Sequence, residues 1–153
     1  EYMTNTDLRK IIYLNILFSE VFYMAGRGTF VAQISAANMT IPIEGASVTI
    51  TEANMQVPQL ISFQETDMNG RTAPIGFDTP DISLSETPGN PKPFAVINVQ
   101  VDMPLYHTVL IKNVQVFPDR ESLQQVEMIP VAEHAGFEEQ YRVITYDVTP
   151  QDL

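Results

Sequence analysis

The side chains that could act as nucleophile, base or metal ligand are few in this sequence, and their spacing decides what chemistry they could do. His107 lies in the strand-like run Leu105-Tyr106-His107-Thr108-Val109, and His134 in the loop-like run Glu133-His134-Ala135-Gly136. Neither belongs to an H-x-x-x-H or H-E-x-x-H spacing, which would place two ligands on one helix face, so a zinc centre is not indicated. A serine nucleophile would need a histidine and a carboxylate converging on it, and no G-x-S-x-G turn is present. Ser83 and Ser85 read as solvent-facing residues of a polar loop. Glu138-Glu139 could suggest the paired carboxylates of glycoside hydrolysis, which must flank a bond from two sides. As sequence neighbours on a strand they would point to opposite faces, so they read as a solvated acidic patch. Asp78 and Asp81 flank Pro80, but the D-x-D-x-D-G pattern that converges oxygens on a divalent cation is missing. Gly26-Arg27-Gly28 precedes a strand rather than a helix, so it lacks the context of a phosphate-binding glycine loop. Lysine occurs only at positions 10, 92 and 112. None lies in the first sandwich strand, where a Lys–Asn isopeptide of bacterial surface domains would start. The reading therefore assigns no catalytic, cofactor-binding or metal-ligating residue, and predicts no enzyme.

Composition points the same way. Nineteen acidic against eight basic residues give a formal net charge of −11. That opposes binding to nucleic acid, which needs a basic surface, and docking on anionic lipid. Cysteine is absent, which excludes disulfides, thiol catalysis and Cys-ligated metal. A protein of this kind fits the cytosol, a spore compartment or the exterior of an anaerobe equally well. With 153 residues, 44% of them hydrophobic, the chain is expected to form one domain with its own core.

The elements that would position any site read mainly as strands. Phe30, Ala32 and Ile34 alternate within residues 28–36. Ala46, Val48 and Ile50 alternate with Ser47, Thr49 and Thr51. Ile97, Val99 and Val101 alternate with Asn98, Gln100 and Asp102. This period of two marks half-buried strands with one apolar face. Further strands are expected near 60–66, 71–77, 105–112, 114–117 and 123–129, with a last one near 141–148. Asp67-Met68-Asn69-Gly70 contains Asn-Gly and predicts a tight turn with Asn69 or Gly70 at positive φ. Residues 80–93 are proline-rich and read as a long exposed loop.

The N-terminal stretch 7–24 is apolar nearly all round a helical wheel, and its Ile, Tyr, Val and Phe suit a strand as well. Its run 11–18 is shorter than the roughly 18 to 20 residues of a membrane span. Arg9 and Lys10 loosely imitate the start of a signal peptide, but Glu20 interrupts the apolar flank. Ile11, Ile12, Leu14, Ile16, Leu17 and Phe18 are the candidate partner-contact residues. The division expected is an N-terminal extension (1–25), a sandwich (26–132) and a C-terminal extension with a last strand (133–153).

Three runs carry a family resemblance. Gly28-Thr29-Phe30-Val31-Ala32-Gln33-Ile34, Ile41-Pro42-Ile43-Glu44-Gly45-Ala46-Ser47-Val48-Thr49-Ile50 and Thr66-Asp67-Met68-Asn69-Gly70-Arg71-Thr72 resemble carboxypeptidase-regulatory-like domains. The continuation through Tyr106, Val109–Val116, Phe117-Pro118 and Val126-Glu127-Met128-Ile129-Pro130 is similar to the N-terminal domain of clostridial spore cortex-lytic enzymes. The resemblance spans 26–131. It implies an all-β, transthyretin-like sandwich of about seven or eight strands and a non-catalytic module of a spore- or envelope-associated protein. Protein partners are expected, self-association included, and no nucleic acid. A cell-wall glycan is a further partner that no residue singles out. The alternative is a self-assembling subunit of a surface fibre or sheath that adds a terminal segment to a neighbour's sheet.

Overall fold

The structure, a computed structural model, describes residues 9–10, 26–53, 55–81 and 94–148. Its regular elements follow the alternation of the sequence. In chain order they are β1 (Gly26–Ala36), β2 (Ile41–Pro42), β3 (Ser47–Glu52), β4 (Leu60–Glu65), β5 (Ile75–Thr79), β6 (Ala95–Asp102), β7 (Thr108–Val116), β8 (Glu121–Glu127), a one-turn helix α1 (Phe137–Gln140) and β9 (Val143–Asp147). Eight of these strands have five residues or more, and the two-residue β2 is the ninth.

Two sheets result. In the first, β1 is central: β8 runs parallel along one side, while β5 and β2 pair antiparallel with opposite ends of the other side. The second has the order β4-β3-β6-β7-β9, antiparallel except for β9, which lies parallel to β7. Residues of one parity face inward from each sheet. Phe30, Ala32 and Ile34 meet Val48, Ile50, Ile97, Val99, Val101 and Val109, all at most 1% exposed. Phe30 and Phe77 meet edge to face, with ring centroids 6.5 Å apart. Burying each such valine, isoleucine or phenylalanine contributes about 1.5–3 kcal/mol, so this interlayer core is the main stabilising term. The expected inward set Ala46, Val48, Ile50, Ile97, Val99 and Val101 is buried throughout.

Where the expected strands and the observed ones differ, a local break in alternation is the reason. Residues 105–112 and 114–117 read as two strands but form the single β7. Asn113, at φ 62°, sits at a register shift in the β6–β7 pairing, and its N–H bonds Asn98 Oδ1 at 3.1 Å. The extra residue switches the buried set from Val109 and Ile111 to Val114 and Val116. The strand expected over 71–77 begins only at Ile75, because Pro74 has no N–H to give a ladder. Arg71 keeps an isolated bridge to Gln33. Glu138-Glu139 lie in α1, not on a strand.

The chain crosses between layers from β4 to β5, and two buried threonines secure the crossing. Thr66 Oγ1 donates to the Ile43 carbonyl (2.7 Å) and accepts from Ala46 N–H (2.9 Å). Thr72 Oγ1 accepts from Ala32 N–H (3.0 Å), and Thr72 N–H donates back to the Ala32 carbonyl (3.0 Å). Between them lies the turn expected at 67–70. Asp67 Oδ1 accepts from Asn69 and Arg71 N–H, and Gly70 N–H bonds the Asp67 carbonyl at 2.8 Å. Gly70 has φ 73°, and a Cβ there would overlap the Ile34 carbonyl oxygen.

Candidate functional site

Among the described residues, those with chemical potential do not assemble around one point. His107, at the start of β7, is 5% exposed because it faces the C-terminal segment. Its Nε2 lies 3.6 Å from Glu139 Oε1 on α1, and Glu139 Oε2 lies 3.5 Å from Arg142 Nη1. Its Nδ1 has no hydrogen-bond partner among the described residues. The arrangement brings α1 against the end of the sandwich. His134 is exposed in a separate turn. Asp78 lies on β5 beside Arg27 (3.7 Å), both largely exposed, and Asp81 follows three residues later in the chain. Among the described residues no three His, Asp or Glu side chains gather as metal ligands would. Lys112 is exposed on β7, in register with Asp147 of β9. Gly26-Arg27-Gly28 opens β1, and its glycines serve close packing: a Cβ on Gly28 would overlap the Phe117 carbonyl oxygen. Ser83, Ser85 and the candidate contact residues Ile11, Ile12, Leu14, Ile16, Leu17 and Phe18 lie outside the described residues.

Concavities among the described residues include the following. One, of about 340 Å³, lies on the outer face of the first sheet, lined by Gln33, Ser35, Asn69, Arg71, Leu123 and Gln125 among others. Much of its polar lining is engaged internally. Gln33 Nε2 donates to the Asn69 carbonyl (2.6 Å), Ser35 Oγ donates to Met39 Sδ (3.0 Å), and Arg71 pairs with Glu121 (3.3 Å). Another, of about 270 Å³, opens between β8 and β9 over Ile111, Val126 and Tyr146.

The more distinctive surface is β4. Among the described residues it pairs only with β3 and closes one side of the five-stranded sheet. Leu60, Ile61 and Phe63 are 65%, 41% and 58% exposed. Phe63 stands on the outer face opposite Thr49, whereas Ser62 and Gln64 share the inward face with Ile50 and Val48. The sequence marked 60–66 as a strand without marking it as an edge. The signal was available: Leu60, Ile61 and Phe63 carry bulk at adjacent and alternate positions while the inward residues are polar, the reverse of a central strand.

No protein-family model matches this chain. No curated protein matches it either. Solved structures with some likeness include the Bacillus anthracis TIE protein, at 13% identity and a TM-score of 0.44, covering 69% of this chain and 17% of that one. A minor pilin of Streptococcus agalactiae has 11% identity, a TM-score of 0.47 and coverage of 72% and 48%. Wild-type catechol 1,2-dioxygenase of Acinetobacter radioresistens has 14% identity, a TM-score of 0.46 and coverage of 79% and 58%. The chain thus spans less than two thirds of each of these proteins. Likenesses this distant say nothing of what the chain does. The resemblance to carboxypeptidase-regulatory-like and spore cortex-lytic domains rests on the quoted sequence runs alone. Among the described residues no helix is long and apolar enough to cross a membrane.

Proposed function

We propose that this chain is a non-catalytic β-sandwich module that works by contact with other protein chains. The observation that carries the reading is β4: among the described residues it is an unpaired sheet edge with Leu60, Ile61 and Phe63 exposed, outside the buried core cluster. An exposed strand edge offers unpaired N–H and C=O groups in a row, which an extended segment of another chain can satisfy. The non-catalytic part of the reading is supported by placement. His107 is sealed against Glu139, while His134 and Asp78 are exposed on separate elements. The spore- or envelope-associated setting is supported by the resemblance of residues 26–131. A second reading, a self-assembling subunit of a surface fibre or sheath, is favoured by the same free edge.

A photo-crosslinking residue at position 63, placed in the full chain in the cells that make it, tests the module. Covalent adducts to protein, absent when the same group replaces Met68 in the exposed turn, are the expected outcome. A position-63 chain that forms no protein adduct overturns the reading.

A further inference from the structure

We infer that the occupant of the β4 edge is a second copy of this chain, joined antiparallel about a two-fold axis through Ser62. The inference rests on the proposed role of that edge and names its partner.

Natural edges are guarded by prolines, lysines, inward-pointing charges or bulges along the strand. β4 reads Leu-Ile-Ser-Phe-Gln-Glu: it has no proline, no lysine and only uncharged side chains on its inward face. Of these guards it has one, a bulge at Ile61, and the pairing of Ser62 through Glu65 with β3 is regular. Thr66 N–H bonds the Ala46 carbonyl, and the alternation of an antiparallel ladder then directs the backbone groups of Phe63 and Glu65 off the edge.

Beside β4, the outer face of the sheet carries Ser47, Thr49, Asn98, Gln100 and Asp102. A partner lying flat on that face would meet hydroxyls, amides and a carboxylate. Leu60, Ile61 and Phe63 are exposed on β4 itself, where an added strand covers them, while Val143 and Tyr146 are exposed on β9 at the far edge of the sheet.

A chain of net charge −11 repels its own copies, so a self-contact must fall where like charges do not meet. Antiparallel pairing centred on Ser62 sets Ile61 opposite Phe63 of the second copy, twice over, and Leu60 opposite Gln64. Glu65, the strand's only charge, falls opposite Gln59. Such cross-strand apolar pairs are the stabilising unit of a sheet. The same operation on β8, centred on Gln124, would set Glu121 against Glu127 at both ends. β5 carries Asp78 in its exposed register, and β9 carries Asp147 and follows Glu138, Glu139 and Arg142. β4, like β5 and β9, holds one acidic residue, and its self-pairing sets that residue opposite an uncharged one.

Absence of cysteine supplies the probe. The full chain with Ser62→Cys, mildly oxidised, should form a covalent dimer at least about tenfold faster than the chain with Met68→Cys. Sedimentation equilibrium of the unsubstituted chain should show a concentration-dependent dimer. Phe63→Lys should raise its dissociation constant about tenfold or more, while Tyr146→Lys on β9 leaves it unchanged. Melting temperatures of the variants report whether each is folded. Equal crosslinking rates for Ser62→Cys and Met68→Cys overturn the inference. So does a chain that stays monomeric at every concentration, or a dimer lost with Tyr146→Lys and kept with Phe63→Lys. If position 63 crosslinks in cells to a different protein while the purified chain stays monomeric, self-pairing fails and the protein-contact role survives.

Discussion

Replacing Thr66 by valine should cost more stability than its volume suggests, because a hydroxyl becomes a methyl at constant shape. Thr66 is 5% exposed, so water cannot readily take over its role. Its Oγ1 holds the Ile43 carbonyl at 2.7 Å and the Ala46 N–H at 2.9 Å. Ala46 is fully buried, so valine strands its amide and removes a donor from Ile43. A buried polar group left unsatisfied costs about 1–3 kcal/mol, and partial relaxation of two such groups gives a total of about 2–4 kcal/mol. For a domain of this size that corresponds to a fall in melting temperature of roughly 6–15 °C. Thr66→Ser keeps the hydroxyl and removes one methyl, at about 1 kcal/mol. Circular dichroism melts and urea titrations should therefore rank wild type above Thr66→Ser, and Thr66→Ser above Thr66→Val. Hydrogen exchange at the Ala46 amide should accelerate in the valine variant alone. If Thr66→Val matched or exceeded Thr66→Ser in stability, the hydroxyl would not be what secures the crossing between layers.

The turn at 67–70 gives a second comparison: Gly70→Val combines φ 73° with an overlap against the Ile34 carbonyl, so it should lose several kcal/mol, about 3 or more, while Met68→Ala on the exposed tip stays within about 0.5 kcal/mol. Equal urea midpoints for the two would remove the turn's special status. For the N-terminal run, the double substitution Leu14→Asp and Phe18→Asp should abolish association beyond the dimer in sedimentation velocity. A species distribution identical to that of the unsubstituted chain refutes a contact role for residues 11–18.

Much of the architecture was legible because alternation is a local property. Val48 and Ile50, or Val99 and Val101, announce a strand with one buried face regardless of what lies beyond them. Asn69-Gly70 announced its turn for the same reason, since only a few residues tolerate the required backbone. The breaks were less legible. Asn113 looked like a gap between two strands, and only its pairing across to Asn98 shows one bulged strand. The helical turn at Phe137–Gln140 has no buried residue and no side-chain cap, so no periodicity announces it.

The sequence by itself determined an acidic, cysteine-free sandwich chain, its inward-facing valines and isoleucines, and its Asp67–Gly70 turn. The tertiary structure alone decided which strands neighbour which. β8 joins β1 in parallel, and β9 joins β7 in parallel, through partners far apart in the chain. The candidate site depends on that decision. Leu60, Ile61 and Phe63 would be ordinary strand residues in the middle of a sheet. They are exposed because, among the described residues, the neighbours chosen by β3 and β6 leave β4 with an open side, and strand neighbourhood is set by long-range pairing that no local period encodes.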